Sequence, residues 1–170
     1  MAVDKSTQQR LMRERAKALA TLVLTRRPGV AVEDITDGIG VDLLARFVPR
    51  RKAGLRQLGV ELRYALEPIT VERANKVVRS ALRAHQSSGP FPFPVVLFFF
   101  NMRDERAWYT WVAAPVLSDD GRVQLPLQTD PDCRLLDDEA LSAILQQVDR
   151  WYDAHYEVLM AAGGTRGSGT

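Results

Sequence analysis

Residues 94–100 read PVVLFFF, an apolar run with no charge and no polar alternation, bounded by prolines and followed by Asn101. A strand with one wet face alternates apolar and polar side chains, so an unbroken run of this kind suits a central strand covered on both sides. The run is far short of the ~20 residues that a membrane-spanning helix needs. A sheet with such a strand at its middle needs helices on both faces, and the rest of the chain supplies helical and strand patterns in alternation.

A first helix is predicted from Ser6 to Arg27, with Leu11, Ala18, Leu22 and Thr25 at helical spacing, Leu19 and Val23 widening the stripe, and Pro28-Gly29 ending it. Glu14 lies three after Leu11 and four before Ala18, so this phase turns it toward the core or its edge. VAVEDI, GVDLLARFV and LGVELRYAL then read as three strands of a meander, with PRRKAG between the last two. Thr70 is placed to cap a helix over VERANKVVRSALRAH, whose face is Ala74, Val77, Val78, Ala81 and Leu82, and SSGPFPFP ends it. After the apolar run, AWYTWVAAPVL and VQLPL read as further strands. A long amphipathic helix is expected from about Asp137 to Met160, carrying Leu141, Ile144, Leu145, Val148, Tyr152 and Leu159 behind an acidic first turn. The expected architecture is therefore α/β, a mixed β-sheet flanked by helices plus a long C-terminal amphipathic helix. One domain covers residues 1–161, and 162–170 form a tail expected to be disordered.

A chain of 170 residues that is 46% hydrophobic can bury roughly 70% of the surface its unfolded form exposes. The single cysteine, Cys133, excludes an intrachain disulfide, and no basic-then-apolar leader is visible, so a cytoplasmic protein is expected. The net charge of +2 conceals an asymmetry. Residues 1–90 hold 17 Lys+Arg against 9 Asp+Glu, a balance of +8, and residues 91–170 hold 6 against 12, a balance of −6. Such a basic half suits an anionic partner such as nucleic acid, or else attraction between the two halves.

The stretch LGVELR concentrates the chemistry. Strand alternation puts Glu61 and Arg63 on one face, and Asp42, at the head of the preceding strand after DGIG, falls where it can meet Glu61. Two adjoining carboxylates are costly unless a cation or proton is shared, and hard oxygen ligands with open water positions suit Mg²⁺ or Mn²⁺. The same residues also read as a plain ion pair beside a turn aspartate that satisfies backbone amides. Arg50, Arg51, Lys52 and Arg56 in PRRKAGLR would extend a phosphate-binding surface next to this site, with Arg10, Arg13, Arg15 and Lys17 along the first helix. Trp108, Tyr109 and Trp111 are read as packing residues, and His85 and His155 lack a zinc spacing. No P-loop, dinucleotide fingerprint or Ser-His-Asp motif is present.

This order of elements and residues resembles the PD-(D/E)XK restriction-endonuclease-like superfamily. More narrowly, DGIGVDLLARF, LGVELR and PVVLFFFNMRDERAWYTWV are similar to a bacterial domain-of-unknown-function family within it, marked by Asp-x-Gly-x-Asp, then (Gln/Glu)-x-Lys, then an apolar run and a Trp-containing strand. The resemblance covers residues 8–116, roughly two thirds of the chain. It implies a restriction-endonuclease-like fold, Asp42 and Glu61 as ligands of Mg²⁺ or Mn²⁺, Glu14 as an accessory carboxylate and Arg63 in the place of the lysine. Gly38 stands where the motif has its first Asp, with Asp37 beside it. Arginine keeps lysine's charge but is effectively never deprotonated, so it can steady a transition state and cannot serve as a base. The function implied is a nuclease-like domain engaging nucleic acid in a bacterial defence or mobile-element setting. The alternative is a lapsed nuclease fold kept as an assembly subunit, binding a protein partner or a second copy through the C-terminal helix.

Overall fold

A computed structural model describes residues 4–35, 40–50, 52 and 54–164. The elements are α1 (Lys5–Thr25), β1 (Val30–Asp34), β2 (Leu43–Phe47), β3 (Arg56–Ala65), α2 (Val71–His85), β4 (Val95–Asn101), β5 (Ala107–Ala113), β6 (Val116–Leu117), β7 (Val123–Gln124), β8 (Arg134–Leu135) and α3 (Asp138–Gly164). Six strands form one sheet in the order β1-β2-β3-β4-β5-β8, and β6 and β7 make a separate small hairpin. The meander β1-β2-β3 is antiparallel, β4 lies parallel to β3, and β5 returns antiparallel. A parallel neighbour requires a crossover, and α2 supplies it. The sheet is therefore mixed, and the fold is α/β.

Every residue of β4 is buried. Val96, Phe98 and Phe100 join the core under α1 and α3, while Val95, Leu97 and Phe99 join the core under α2. Both sides of the strand are thus packed, which is why it carries no polar alternation. Gly59 on β3 is required by the same tight packing, because a Cβ there would lie 2.8 Å from Phe93 Cε2 and 2.9 Å from Val41 Cγ1.

α2 follows its sequence pattern except at Val77, which is exposed because the buried stripe runs through Ala74, Val78 and Ala81. Thr70 caps it, accepting a hydrogen bond from the Arg73 amide at 3.3 Å, and Ala74, Val78, Ala81, Leu82 and His85 are buried. α1 does not follow its expected phase. Its buried line is Ala16, Ala20 and Leu24, with Met12, Leu19 and Val23 beside it, and Leu11 and Leu22 are exposed. Small alanines let the helix approach the sheet closely, and the contact line follows them rather than the larger side chains.

At the C-terminal side, the expected single strand AWYTWVAAPVL is split. Pro115 lacks the N–H that a ladder needs, and Val116–Leu117 turns away to pair with Val123–Gln124. β8, which the sequence pattern does not announce, adds to the far edge of the sheet beside β5. α3 runs four residues beyond the expected end at Met160, and residues 165–170 of the expected tail lie outside the described residues. No helix among the described residues is long and apolar enough to cross a membrane.

Candidate functional site

Asp42 lies immediately ahead of β2 and ties three strands together. Its amide donates to the Val60 carbonyl at 2.9 Å and its carbonyl accepts from the Ile35 amide at 3.0 Å. The β2–β3 register ends at Leu43 with Val60, and Asp42 and Glu61 are the residues next to that last pair. The Asp42 side chain is buried. Oδ2 accepts from the Leu62 amide at 2.8 Å, and Oδ1 accepts from Arg13 Nη2 at 2.6 Å. Hydrogen bonding to Asp42, reinforced by its charge, raises the Arg13 guanidinium further above its ordinary value.

Glu61 is also buried, on the α2 side of the sheet, and both of its oxygens are engaged. Oε1 pairs with the Arg63 guanidinium, and Oε2 meets His85 Nε2 at 2.6 Å. Arg63 also donates from Nη1 to the Leu62 carbonyl at 2.8 Å. His85 is the last residue of α2, with its ring edge-on to Phe91 at 5.4 Å. Gly40, at φ +77°, makes room for this imidazole, since a Cβ there would stand 3.1 Å from His85 Cε1.

Arg13, Gly40, Asp42, Glu61, Arg63 and His85 line a cleft of about 290 Å³. A second cleft of about 500 Å³ shares Arg13, Asp42 and Arg63 with it and extends over Leu62 and Tyr64. The structure thus brings together Asp42, Glu61 and Arg63, as their spacing anticipates. Glu14 does not join them. With α1 rotated onto its alanine line, Glu14 is exposed and its nearest cation is Lys17 at 3.8 Å, which corrects its expected place at the core edge.

The hairpin cations are corrected as well. β2 runs from Asp42's neighbour Leu43 to Phe47, opposite Arg56, so Arg56 lies at the other end of the strand pair, about 17 Å along the strand from Asp42. Arg56 is fully buried there and donates to Asp149 at 3.0 Å and Asp153 at 2.6 Å on α3, with the Tyr152 and Tyr156 rings at 5.8 and 5.2 Å. Lys52 bridges the same two aspartates at 2.8 and 2.6 Å. Arg50 is exposed beside a different cleft, with Arg27, Phe47 and Leu145. Arg51, Asp37 and Gly38 lie outside the described residues. The charge asymmetry of the chain is thus used in part internally, basic hairpin against acidic helix. Burial pushes the Cys133 thiol up to about 11, which keeps it a poor nucleophile.

His85 is the residue of the site that the sequence reading omits, although it lies four after Ala81 on the buried stripe of α2. Arg13 is expected only as one of several cations on the first helix beside the site, and its reach to Asp42 depends on where α1 docks.

A resident Mg²⁺ or Mn²⁺ does not fit this arrangement. Such an ion needs anionic oxygens facing open water positions. Here the four carboxylate oxygens of Asp42 and Glu61 meet Arg13, the Leu62 amide, Arg63 and His85. Comparisons of the chain with protein-family models, with curated proteins and with solved structures gave no match.

Proposed function

We propose that the chain is a nuclease-like domain of the PD-(D/E)XK kind that engages nucleic acid at the Asp42–Glu61 cleft without hydrolysing it by metal-ion catalysis. The order helix, antiparallel meander, crossover helix and buried parallel strand supports the resemblance. The observation that carries the reading is that both motif carboxylates bear a guanidinium, Arg13 on Asp42 and Arg63 on Glu61. These arginines are 61% and 41% exposed and line the cleft, and a guanidinium has five N–H donors, more than the contacts to Asp42, Glu61 and the Leu62 carbonyl use, which supports binding of a phosphate oxygen.

Fluorescence anisotropy with single-stranded and duplex DNA and RNA, over a range of salt, tests the binding half of this reading. The wild type should bind with an affinity that falls as salt rises, and Arg63→Gln should weaken it several-fold for every sequence. Affinity that ignores salt and the substitution would sink it. Incubation with plasmid and with single-stranded DNA and RNA in Mg²⁺ and Mn²⁺ tests the other half, and cutting that disappears in Asp42→Asn would overturn the non-hydrolytic reading.

A second reading, assembly through α3, is favoured by one surface feature. Val158, Leu159 and Met160, near the end of the helix, are 52%, 54% and 80% exposed. An uncovered apolar cluster of this kind suits a protein partner or a second copy. Sedimentation of the wild type should then show concentration-dependent association that Leu159→Glu abolishes, whereas a monomer at all concentrations removes the second copy from consideration.

A further inference from the structure

We infer that Arg13 is the built-in cation of this site, occupying the one Asp42 oxygen that a metal ion could use and thereby keeping divalent ions out. Asp42 and Glu61 line the same cleft, 7% and 3% exposed, and two buried carboxylates in one cleft require positive charge beside them. Glu61 has its own cation in Arg63, with the His85 ring nitrogen on its other oxygen. Asp42 has one oxygen committed to the strand ladder, because Oδ2 accepts the Leu62 amide. Its other oxygen, Oδ1, is the remaining site for a cation, and Arg13 Nη2 sits on it at 2.6 Å. The guanidinium comes from α1, whose packed residues Ala16 and Ala20 fix the helix three and seven residues further on. Position 13 is therefore held over Asp42 by the docking of the helix and not by its own burial.

This arrangement neutralises the acidic pair with fixed side chains in place of a dissociable ion. It also works against a divalent ion in two ways, by occupying the ligand oxygen and by repelling a second positive charge at close range. Because Arg13 is itself 61% exposed, its removal should disturb the core little and the electrostatics a great deal. The inference concerns cation occupancy and is independent of nucleic-acid binding, which is read by a different signal.

The test is a titration of Mn²⁺, followed by electron paramagnetic resonance of the unbound ion, into the wild type, Arg13→Gln, Arg10→Gln and the double variant Arg13→Gln/Asp42→Asn, each first checked for folding by circular dichroism. Arg13→Gln should bind Mn²⁺ about tenfold more tightly than the wild type, or better, as expected for loss of a unit charge at this range. The double variant should lose the gain, and Arg10→Gln, which changes net charge equally on the same helix, should behave as the wild type. Equal affinity in the wild type and Arg13→Gln, an equal gain in Arg10→Gln, or no binding by Arg13→Gln would each overturn the inference.

Discussion

Arg56→Ala is expected to unfold in urea at pH 7 with about 3 kcal/mol less stability than the wild type. The side chain is 1% exposed and makes the contact between the β2–β3 hairpin and α3 from the inside. Its guanidinium donates to Asp149, Asp153 and the Gly54 carbonyl and lies near the rings of Tyr152 and Tyr156. Removing one partner of a buried pair costs about 3–5 kcal/mol when the orphaned charge has no water. Here Asp149 and Asp153 keep 18% and 37% exposure and Lys52 as a second cation, which places the effect at the lower end. Arg56→Met restores the volume and should recover only part of the loss, because the two aspartates, one helical turn apart, still repel each other.

The pH dependence has a definite sign. Burial alone would raise the Asp149 carboxyl, but hydrogen bonds from Lys52 and Arg56 and their charges outweigh it and hold the group below the ordinary range. A carboxyl depressed on folding contributes stability above its unfolded value, about pH 4, and loses it as pH falls through the folded value. The gap between wild type and Arg56→Ala should therefore narrow as the pH is taken below about 4. Urea midpoints at pH 7 and pH 3 give both numbers, and equal midpoints at pH 7 would show that the clamp does not hold α3.

The contrast between this clamp and the carboxylate cleft shows what a one-dimensional pattern carries. β4 and α2 are legible because their packing leaves a pattern in the sequence, unbroken for a doubly covered strand and 3.6 residues for a capped helix. Asp42, Glu61 and Arg63 were legible for the same reason, since strand alternation and the order of the motifs fix their relative faces. The phase of α1 is not legible because its contact line is built on Ala16 and Ala20, which contribute little apolar signal beside Leu11 and Leu22. The partners of Lys52 and Arg56 are not legible in the sequence because they lie about a hundred positions away, Lys52 meeting Asp149 across a separation of 97. Charge counts record that such partners exist in the acidic half, and only the docking of α3 selects them.

Asp42→Ala should cost about 2–3 kcal/mol of stability, whereas Asp42→Asn should keep most of it. The carboxylate is both a site residue and part of the ladder, because the Leu62 amide, buried between β3 and the start of β2, donates to Oδ2 at 2.8 Å. Alanine leaves that amide without its acceptor, and an unmet buried donor costs about 1–3 kcal/mol, toward the upper part of that range when the lost acceptor was charged. It also leaves Arg13 without its partner, a smaller effect because that guanidinium is well exposed. Asparagine can present its amide oxygen to Leu62 and loses only the charge. Urea unfolding of the two variants therefore separates the two roles of one side chain. If asparagine is as unstable as alanine, the ion pair with Arg13 and not the Leu62 hydrogen bond carries Asp42's contribution. The order of the two variants also governs every functional experiment on the cleft. A loss of nucleic-acid binding in Asp42→Ala mixes altered chemistry with a loosened β2–β3 junction, while the same loss in a stably folded Asp42→Asn can be assigned to the missing charge.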